Sequence, residues 1–528
     1  MNRIAPVSLA VIIVCFSFLV FWRLPDQGML FHDVGMNLLE SKFLDEGFEI
    51  LRTYPPEKLK DPGFWEEIKT KTEGVPPHHG KPGFNLILWG ASKAAGFHDT
   101  LSARVTAIAS VLSLFLTFLF ARRVYGVRAA VYSTALLASS TFFLVYARSG
   151  LADAVANFFS LTAALIYFYS RDKSSRIWLL GAGILFGYAI ACNQTRVAYM
   201  PLWVLMLEAL WSFRHKKGGA TAAGRAGALL LGLALPLIAF QAPYWVAKLF
   251  SGNLPFRDFW GQTFERTSQL GDMQWFKDPF EMALSYWVIE GPFFCLVILA
   301  GLFFLGVRFL ARKDDSDLFV LSLFLIPFVY FSVMKYGQQS LPRTVSGILP
   351  FACMAGGALL ASLLRSAPSA AFMSLAILLG VQSLPKNLNA GITRSGYREA
   401  SRFLASTGEK KFLLLSQEPI WRFYLGRVAH KPYDRPRSVK ELVEEAEANG
   451  IKYVVVDYAT LHSKYGMDYT AAFTKKFKPL ARFANPRGRS LAYLVDEFSL
   501  RPSFPVAQDP SSSEIYVFEV ETIARDNP

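Results

Sequence analysis

Apolar stretches nearly long enough to cross a bilayer recur from residue 4 to residue 384 of this 528-residue chain. A membrane-spanning helix needs about 20 mainly apolar residues to rise through the hydrocarbon. No water is present there to receive unpaired backbone groups, so each such stretch is constrained to be helical. The expected fold class is therefore a polytopic α-helical membrane protein. Composition agrees, with 52% hydrophobic and only 18% charged residues, against roughly a quarter charged in soluble domains. An ordinary soluble enzyme and a disordered chain are excluded, and four cysteines are too few for a disulfide scaffold. Cys15, Cys192, Cys295 and Cys353 fall in or beside apolar segments and read as small buried side chains.

Eleven spans are predicted: 4–22, 105–121, 129–146, 154–169, 177–192, 197–213, 226–247, 286–307, 318–334, 344–364 and 370–384. The first runs into Phe21-Trp22-Arg23 without a small-residue cleavage site, so it is expected to be an uncleaved anchor. The net charge of +14 does not indicate nucleic acid, because the basic residues sit in short loops between apolar segments. Lys and Arg are retained on the cytoplasmic side during insertion. With a cytoplasmic N-terminus, the even connections hold Arg122, Arg123, Arg128, Arg171, Lys173, Arg176, Arg214, Lys216, Lys217, Arg225, Arg308, Arg312, Lys313 and Arg365. The short outer connections hold only the scattered basic residues Arg148, Arg196, Lys335 and Arg343. Residues 83–97 are apolar but short and interrupted by Lys93. Counting them as a span would invert every later loop, so they are expected to form an interfacial or re-entrant helix.

This topology divides the chain into a transmembrane domain, 1–385, and a soluble extracytoplasmic α/β domain, 386–528. The first outer loop is 23–104 and the second large outer loop is 248–285. In the C-terminal part, KKFLLLS, IKYVVVDY, SLAYLVDE and EIYVFEVE read as strands, and VKELVEEAEANG as an amphipathic helix ending at Gly450. No glycine-rich phosphate loop, CxxC pair or metal spacing is found there. The implied location is the cell inner (plasma) membrane, multi-pass.

The polar residues that carry chemistry collect on the outer face. Asp33 precedes a stretch of helical periodicity just beyond the first span; it suits both an N-cap and a catalytic carboxylate. In PPHHGKPGF, Lys81 suits a phosphate at headgroup level and equally suits a snorkelling interfacial lysine. His78 and His79 are candidate metal or acceptor contacts. Two adjacent histidines rarely ligate one metal together, so a metal would need Asp33 or another distant carboxylate. Arg148 and Asp153 bracket an outer turn, where an ion pair or N-cap is the simplest reading. Arg196 and Arg343, with Lys335, add positive charge near the outer leaflet that suits a phosphate on a lipid tail. No metal site is assigned.

These motifs, in order, resemble the GT-C class of membrane glycosyltransferases. They are closest to the branch of protein O-mannosyltransferases and lipid A aminoarabinose transferases. The resemblance spans residues 1 to about 385 and is most specific over 81–169, through SARVTAIASVLSLFLTFLFARRVYG and YARSGLADAVANFFSLTAALIYF. It implies a polyprenyl-phosphate sugar donor and a lipid, glycan or protein acceptor among membrane lipids. It implies catalytic roles for Asp33 and Asp153 and a phosphate contact for Lys81. Arg148, Arg196 and Arg343 join Lys81 as candidate donor-phosphate contacts. The family's Asp-Glu pair reads Asp33-Val34 here, its KPP motif reads Lys81-Pro82-Gly83, and its second acidic motif reads Arg148-Ser149-Gly150-Leu151-Ala152-Asp153.

The activity so implied is an inverting single displacement by an integral membrane glycosyltransferase. Asp33 serves as base, and Lys81 with an arginine stabilises the leaving phosphate. No cofactor is required. The alternative is a transporter or flippase of lipid-linked saccharides, which is expected to show paired repeats and interrupted helices at the midplane; neither is seen in the sequence.

Overall fold

The computed structural model describes residues 4–55, 57–58, 61–76, 80–171, 175–197, 199–216, 218–251, 258, 277–333, 346–364, 369–416, 418–426, 438–457, 469–486 and 514–526. It is a multi-pass helical bundle with a small sheet at its C-terminal end. Helix α1 (Ile4–Phe21) enters the bundle, and α2 (His32–Thr53), α3 (Pro62–Lys71) and α4 (Pro82–Ala95) build the first loop region. Then come α5 (Leu101–Tyr125), α6 (Val127–Ser139), α7 (Thr141–Ser149), α8 (Ala152–Ser170) and α9 (Arg176–Cys192). They are followed by α10 (Gln194–Val197), α11 (Met200–Arg214), α12 (Gly219–Ser251), α13 (Lys277–Glu290), α14 (Pro292–Arg312), α15 (Asp315–Val333), α16 (Leu349–Leu363) and α17 (Ser369–Ile392).

Among the described residues, six helices are long and apolar enough to cross a membrane: Pro6–Asp26, Leu101–Tyr125, Ala152–Ser170, Gly219–Val246, Pro292–Arg312 and Ser346–Leu363. A seventh is the pair α6 and α7, if the two count as one broken span. The predicted span 129–146 is therefore not continuous, because it bends by 64° at Ser140. The buried Glu290 carboxylate supports the break, accepting from Ser140 Oγ at 2.6 Å and from the amides of Thr141 and Phe142, each at 2.9 Å. These are orphan N–H groups of the new helix start, and a carboxylate there also meets the favourable end of the helix dipole. The predicted span 286–307 is likewise interrupted, at Gly291 between α13 and α14, and 197–213 starts later, at Met200. Helix α9, at 17 residues, falls among the shorter apolar helices.

Val7, Val11, Val14 and Phe18 recur at helical spacing on α1 and are all exposed, a stripe that suits lipid. Inside the bundle, small residues let backbones approach closely. A Cβ on Gly183 of α9 would lie 2.2 Å from the Leu229 carbonyl of α12, and one on Gly232 equally close to the Leu180 carbonyl.

The basic loops gather at one end. Arg123 lies over Tyr169, Arg225 over Trp211 and Arg308 over Tyr125. Arg225 bonds Glu208 at 2.5 Å, Arg308 bonds Asp317 and Arg214 bonds Asp315. These contacts tie the ends of α5, α8, α11, α12 and α14 and the start of α15 into one ring. Both flanks of α4 lie at the opposite end: Lys81 bonds Asp33 before it, and Asp99 bonds the C-terminal region after it. Helix α4 therefore returns to the side from which it started.

In the C-terminal region, α18 (Tyr397–Ser406), β1 (Leu413–Leu415), α19 (Glu418–Leu425) and α20 (Val439–Ala448) precede β2 (Tyr453–Asp457) and α21 (Tyr469–Thr474). After them come β3 (Ala481–Ala484), β4 (Glu514–Glu519) and α22 (Val520–Asp526). The strand order is β1-β2-β4-β3, with β1 and β2 parallel and the other pairs antiparallel. Alternation gives the sheet two faces. Leu413, Val454, Val456 and Phe518 pack under α20 and α22, while Leu414, Val455 and Val517 pack with Tyr397, Leu404 and Trp421 in the core cluster that continues into the bundle. Three predicted strands are present, and SLAYLVDE lies outside the described residues. The predicted helix starts with a Ser438–Glu441 capping box, and Gly450 just beyond its end has φ +63°. Strand β3 lies outside the strands the sequence indicated.

Candidate active site

The site is built at the start of α2. Its N-cap is Phe31, so Asp33 is not the cap; it lies in the first helical turn. Facing it is Lys81, the residue just before α4, whose Nζ lies 2.9 Å from Asp33 Oδ2. The lysine side chain is 6% exposed and the aspartate 25%, so the pair opens to one side only, through the carboxylate.

The polar face continues inward. Asn37 and Glu40 follow Asp33 at helical spacing on α2, and Asn85 follows Lys81 by one turn on α4; all three are buried. Asn85 Nδ2 donates to Glu40 Oε2 at 2.6 Å, so the two helices are joined by two polar pairs, one above the other. The i, i+4 spacing of Lys81 and Asn85 was the available sequence signal for this second pair.

Gly83, where the resembled motif carries a second proline, has a close structural reason. A Cβ there would lie 3.0 to 3.1 Å from the backbone of Ala191 and Cys192, so α4 begins pressed against the end of α9. Tyr188 Oη also donates to the Gly83 carbonyl at 3.1 Å. Helix α10, which carries Arg196, packs against α9 and α8.

Asp153 lies in the first turn of α8 and is 2% exposed. The preceding Gly150 has φ +74°, a conformation that glycine adopts without strain. A Cβ on it would lie 3.2 Å from Val34 Cγ2, so the α7–α8 turn sits against the start of α2. Asp33, Lys81 and Asp153 therefore belong to one neighbourhood in which α2, α4 and α8 all begin.

Arg148, a candidate phosphate contact in the sequence, is turned toward backbone carbonyls. It is fully buried; Nη1 donates to the carbonyls of Leu19, Val20 and Trp22, and Nη2 donates to that of Gly391. The guanidinium caps the C-terminal end of α1 and ties it to α17, satisfying carbonyls a helix end leaves orphaned. His78, His79, Lys335, Arg343 and most of 248–285 lie outside the described residues. Among the described residues, no group of three or more His, Cys, Asp or Glu side chains is placed to hold a metal.

The C-terminal region clamps the same neighbourhood. Gly35, two residues after Asp33, touches the backbone of α19, where a Cβ would lie 2.9 Å from Ile420 N. Arg398 donates to both Asp99 oxygens at 2.8 Å, and Tyr424 donates to Asp99 Oδ2 at 2.5 Å. Burial pushes the Tyr424 phenol well above its ordinary range, so it stays a donor. Burial also lowers His98, beside Asp99, and the cation of Arg104 adds to the effect. Sequence reading assigned none of these contacts, since their partners lie about three hundred residues apart.

The bundle and its first-loop helices define the fold of the GT-C membrane glycosyltransferases. Residues 77–240 match the model of the dolichyl-phosphate-mannose-protein mannosyltransferase family. The structure is similar to ArnT from Cupriavidus metallidurans bound to undecaprenyl phosphate, with a TM-score of 0.57 and 13% identity, covering 97% of this chain and 98% of that one. It is also similar to the archaeal oligosaccharyltransferase AglB from Archaeoglobus fulgidus in complex with an inhibitory peptide and a dolichol-phosphate. There the TM-score is 0.51 and the identity 13%, with 86% of this chain and 69% of that one covered. No curated protein matches by sequence.

Proposed function

We propose that this chain is a membrane glycosyltransferase. In this reading it moves a sugar from a polyprenyl-phosphate donor to an extracytoplasmic lipid, glycan or protein acceptor. The observation that carries the reading is the Lys81–Asp33 pair at 2.9 Å, a cation and a carboxylate held together where α2 and α4 begin. The likeness to proteins bound to undecaprenyl phosphate and dolichol-phosphate supports the donor class.

The chemistry follows from the pair. A donor phosphate entering beside α4 meets the Lys81 ammonium and the orphan amides of that helix start, both of which favour an anion. Lys81 then exchanges its bond to Asp33 for one to the phosphate. Asp33 is left as an acceptor at the exposed side of the site, where the incoming hydroxyl arrives. It removes the hydroxyl proton as the oxygen attacks the anomeric carbon. The bond to the phosphate oxygen breaks on the opposite face, and Lys81 stabilises the charge that develops there. One displacement inverts the anomeric centre and releases polyprenyl phosphate. Asp153, buried in the adjoining helix start, positions this region from the α7–α8 turn. No cofactor enters the scheme. The location belonging to this reading is the inner (plasma) membrane, with the site and the C-terminal domain on the extracytoplasmic side.

Mass spectrometry of membrane lipids from cells lacking the chain provides the test. A polyprenyl-phosphate sugar should accumulate there. The wild-type chain should clear it, and the Asp33→Asn chain should not. Lipids unchanged by loss of the chain would contradict the proposal.

A further inference from the structure

A recess that includes neither Lys81 nor Asp33 lies between α18 and α19. It has a volume of 350 Å³ and is lined by Asp99, Arg398, Ser401, Arg402, Phe423 and Tyr424. We infer that this recess is a subsite for an acidic sugar unit on the acceptor side of the reaction, an inference that rests on the transferase reading.

Four features carry it. Phe423 and Tyr424 meet edge-on, with ring centroids 5.7 Å apart, and offer an apolar surface of the kind the C–H face of a pyranose covers. The Ser401 hydroxyl is buried, its residue only 4% exposed, and it makes no hydrogen bond among the described residues. A buried hydroxyl without a partner is costly, and a ligand hydroxyl supplies one. Arg398 is held by Asp99 and by the Pro25 carbonyl, so its charge is already answered. Arg402, one turn further along α18, is exposed and forms no ion pair among the described residues. A carboxylate or phosphate on the sugar is the group a guanidinium at the mouth of such a recess selects.

The recess is mechanically part of the reaction region. Ile420 contacts Gly35 near Asp33, and Tyr424 lies one turn further along the same helix. A Cβ on Gly28, in the segment leading to α2, would lie 3.6 Å from the Tyr424 hydroxyl. A glycan seated here is held by the elements that hold the base.

The test measures sugar binding to the purified full-length protein without donor. The probes are a disaccharide ending in a uronic acid and its neutral counterpart of the same linkage, followed by titration calorimetry. The acidic probe should bind at least about tenfold more tightly, and Arg402→Gln should remove that preference while Phe423→Ala weakens both probes. Arg402 is exposed, so thermal unfolding of its variant should match wild type. Equal binding of the two probes, or a preference that survives Arg402→Gln, would overturn the subsite. A protein that prefers the acidic probe yet never cleaves a donor refutes the transferase reading alone. One that cleaves donor without the preference refutes the subsite alone.

Discussion

Replacing Lys81 by alanine removes a cation bonded to Asp33 and should reveal what it does for the donor. The ammonium is only 6% exposed and its single described partner is the carboxylate at 2.9 Å. In the donor complex that partner becomes a phosphate. Charge-assisted hydrogen bonds contribute about 1.5–3 kcal/mol each, and tenfold in affinity corresponds to about 1.4 kcal/mol. Lys81→Ala should therefore weaken binding of polyprenyl phosphate by roughly 10- to 150-fold. Native mass spectrometry of the purified protein titrated with the lipid reads this directly, with unfolding temperature as the control. A variant that folds normally and keeps wild-type affinity would refute the phosphate role and return Lys81 to an interfacial lysine paired with Asp33.

Further outcomes follow from the same geometry. Asp33→Asn keeps the shape but cannot take a proton, so transfer should fall by about 10²–10⁴-fold with donor binding nearly intact; near-full transfer would remove Asp33 as base. Arg148→Ala leaves four buried carbonyl contacts unanswered and should destabilise the protein by more than about 3 kcal/mol, seen as a lower unfolding temperature, whatever its effect on the donor. Gly83→Pro restores the resembled motif but meets Ala191 and Cys192 backbone, so it should lower stability rather than improve activity. His98 has its folded value lowered below the ordinary 6.5, so its neutral form is favoured in the folded state. That contribution is present above 6.5 and is lost as pH falls below it, and His98→Asn should flatten the acid limb of the unfolding-temperature profile.

Much of the fold was legible because hydropathy and loop charge are local signals. The basic loops gather at one end of the structure, and α4 turns back to its own side, as loop charge and the Lys93 interruption indicated. The break at Ser140 was not legible, because its support, Glu290, lies 150 residues away. Asp33, Lys81 and Asp153 were legible as polar residues next to membrane segments. Their arrangement was not: the resemblance implied a base at Asp33 and a phosphate contact at Lys81 as separate roles, whereas the structure bonds the two side chains to each other. Arg148 shows the converse, since a charged residue in a motif looks functional until its carbonyl partners on α1 and α17 are seen. The docking of α19 on Gly35 depends on the tertiary fold, which no local pattern encodes.

The central claim is that this site breaks the bond between a sugar and a polyprenyl phosphate, rather than carrying the intact lipid across the membrane. Purified protein in liposomes, given the polyprenyl-phosphate sugar that accumulates in cells lacking the chain, separates the two by product analysis. The account predicts free polyprenyl phosphate and a sugar joined to acceptor with inverted configuration, both abolished by Asp33→Asn. Donor recovered intact on the opposite leaflet, with no free polyprenyl phosphate formed, would contradict it and establish a transporter.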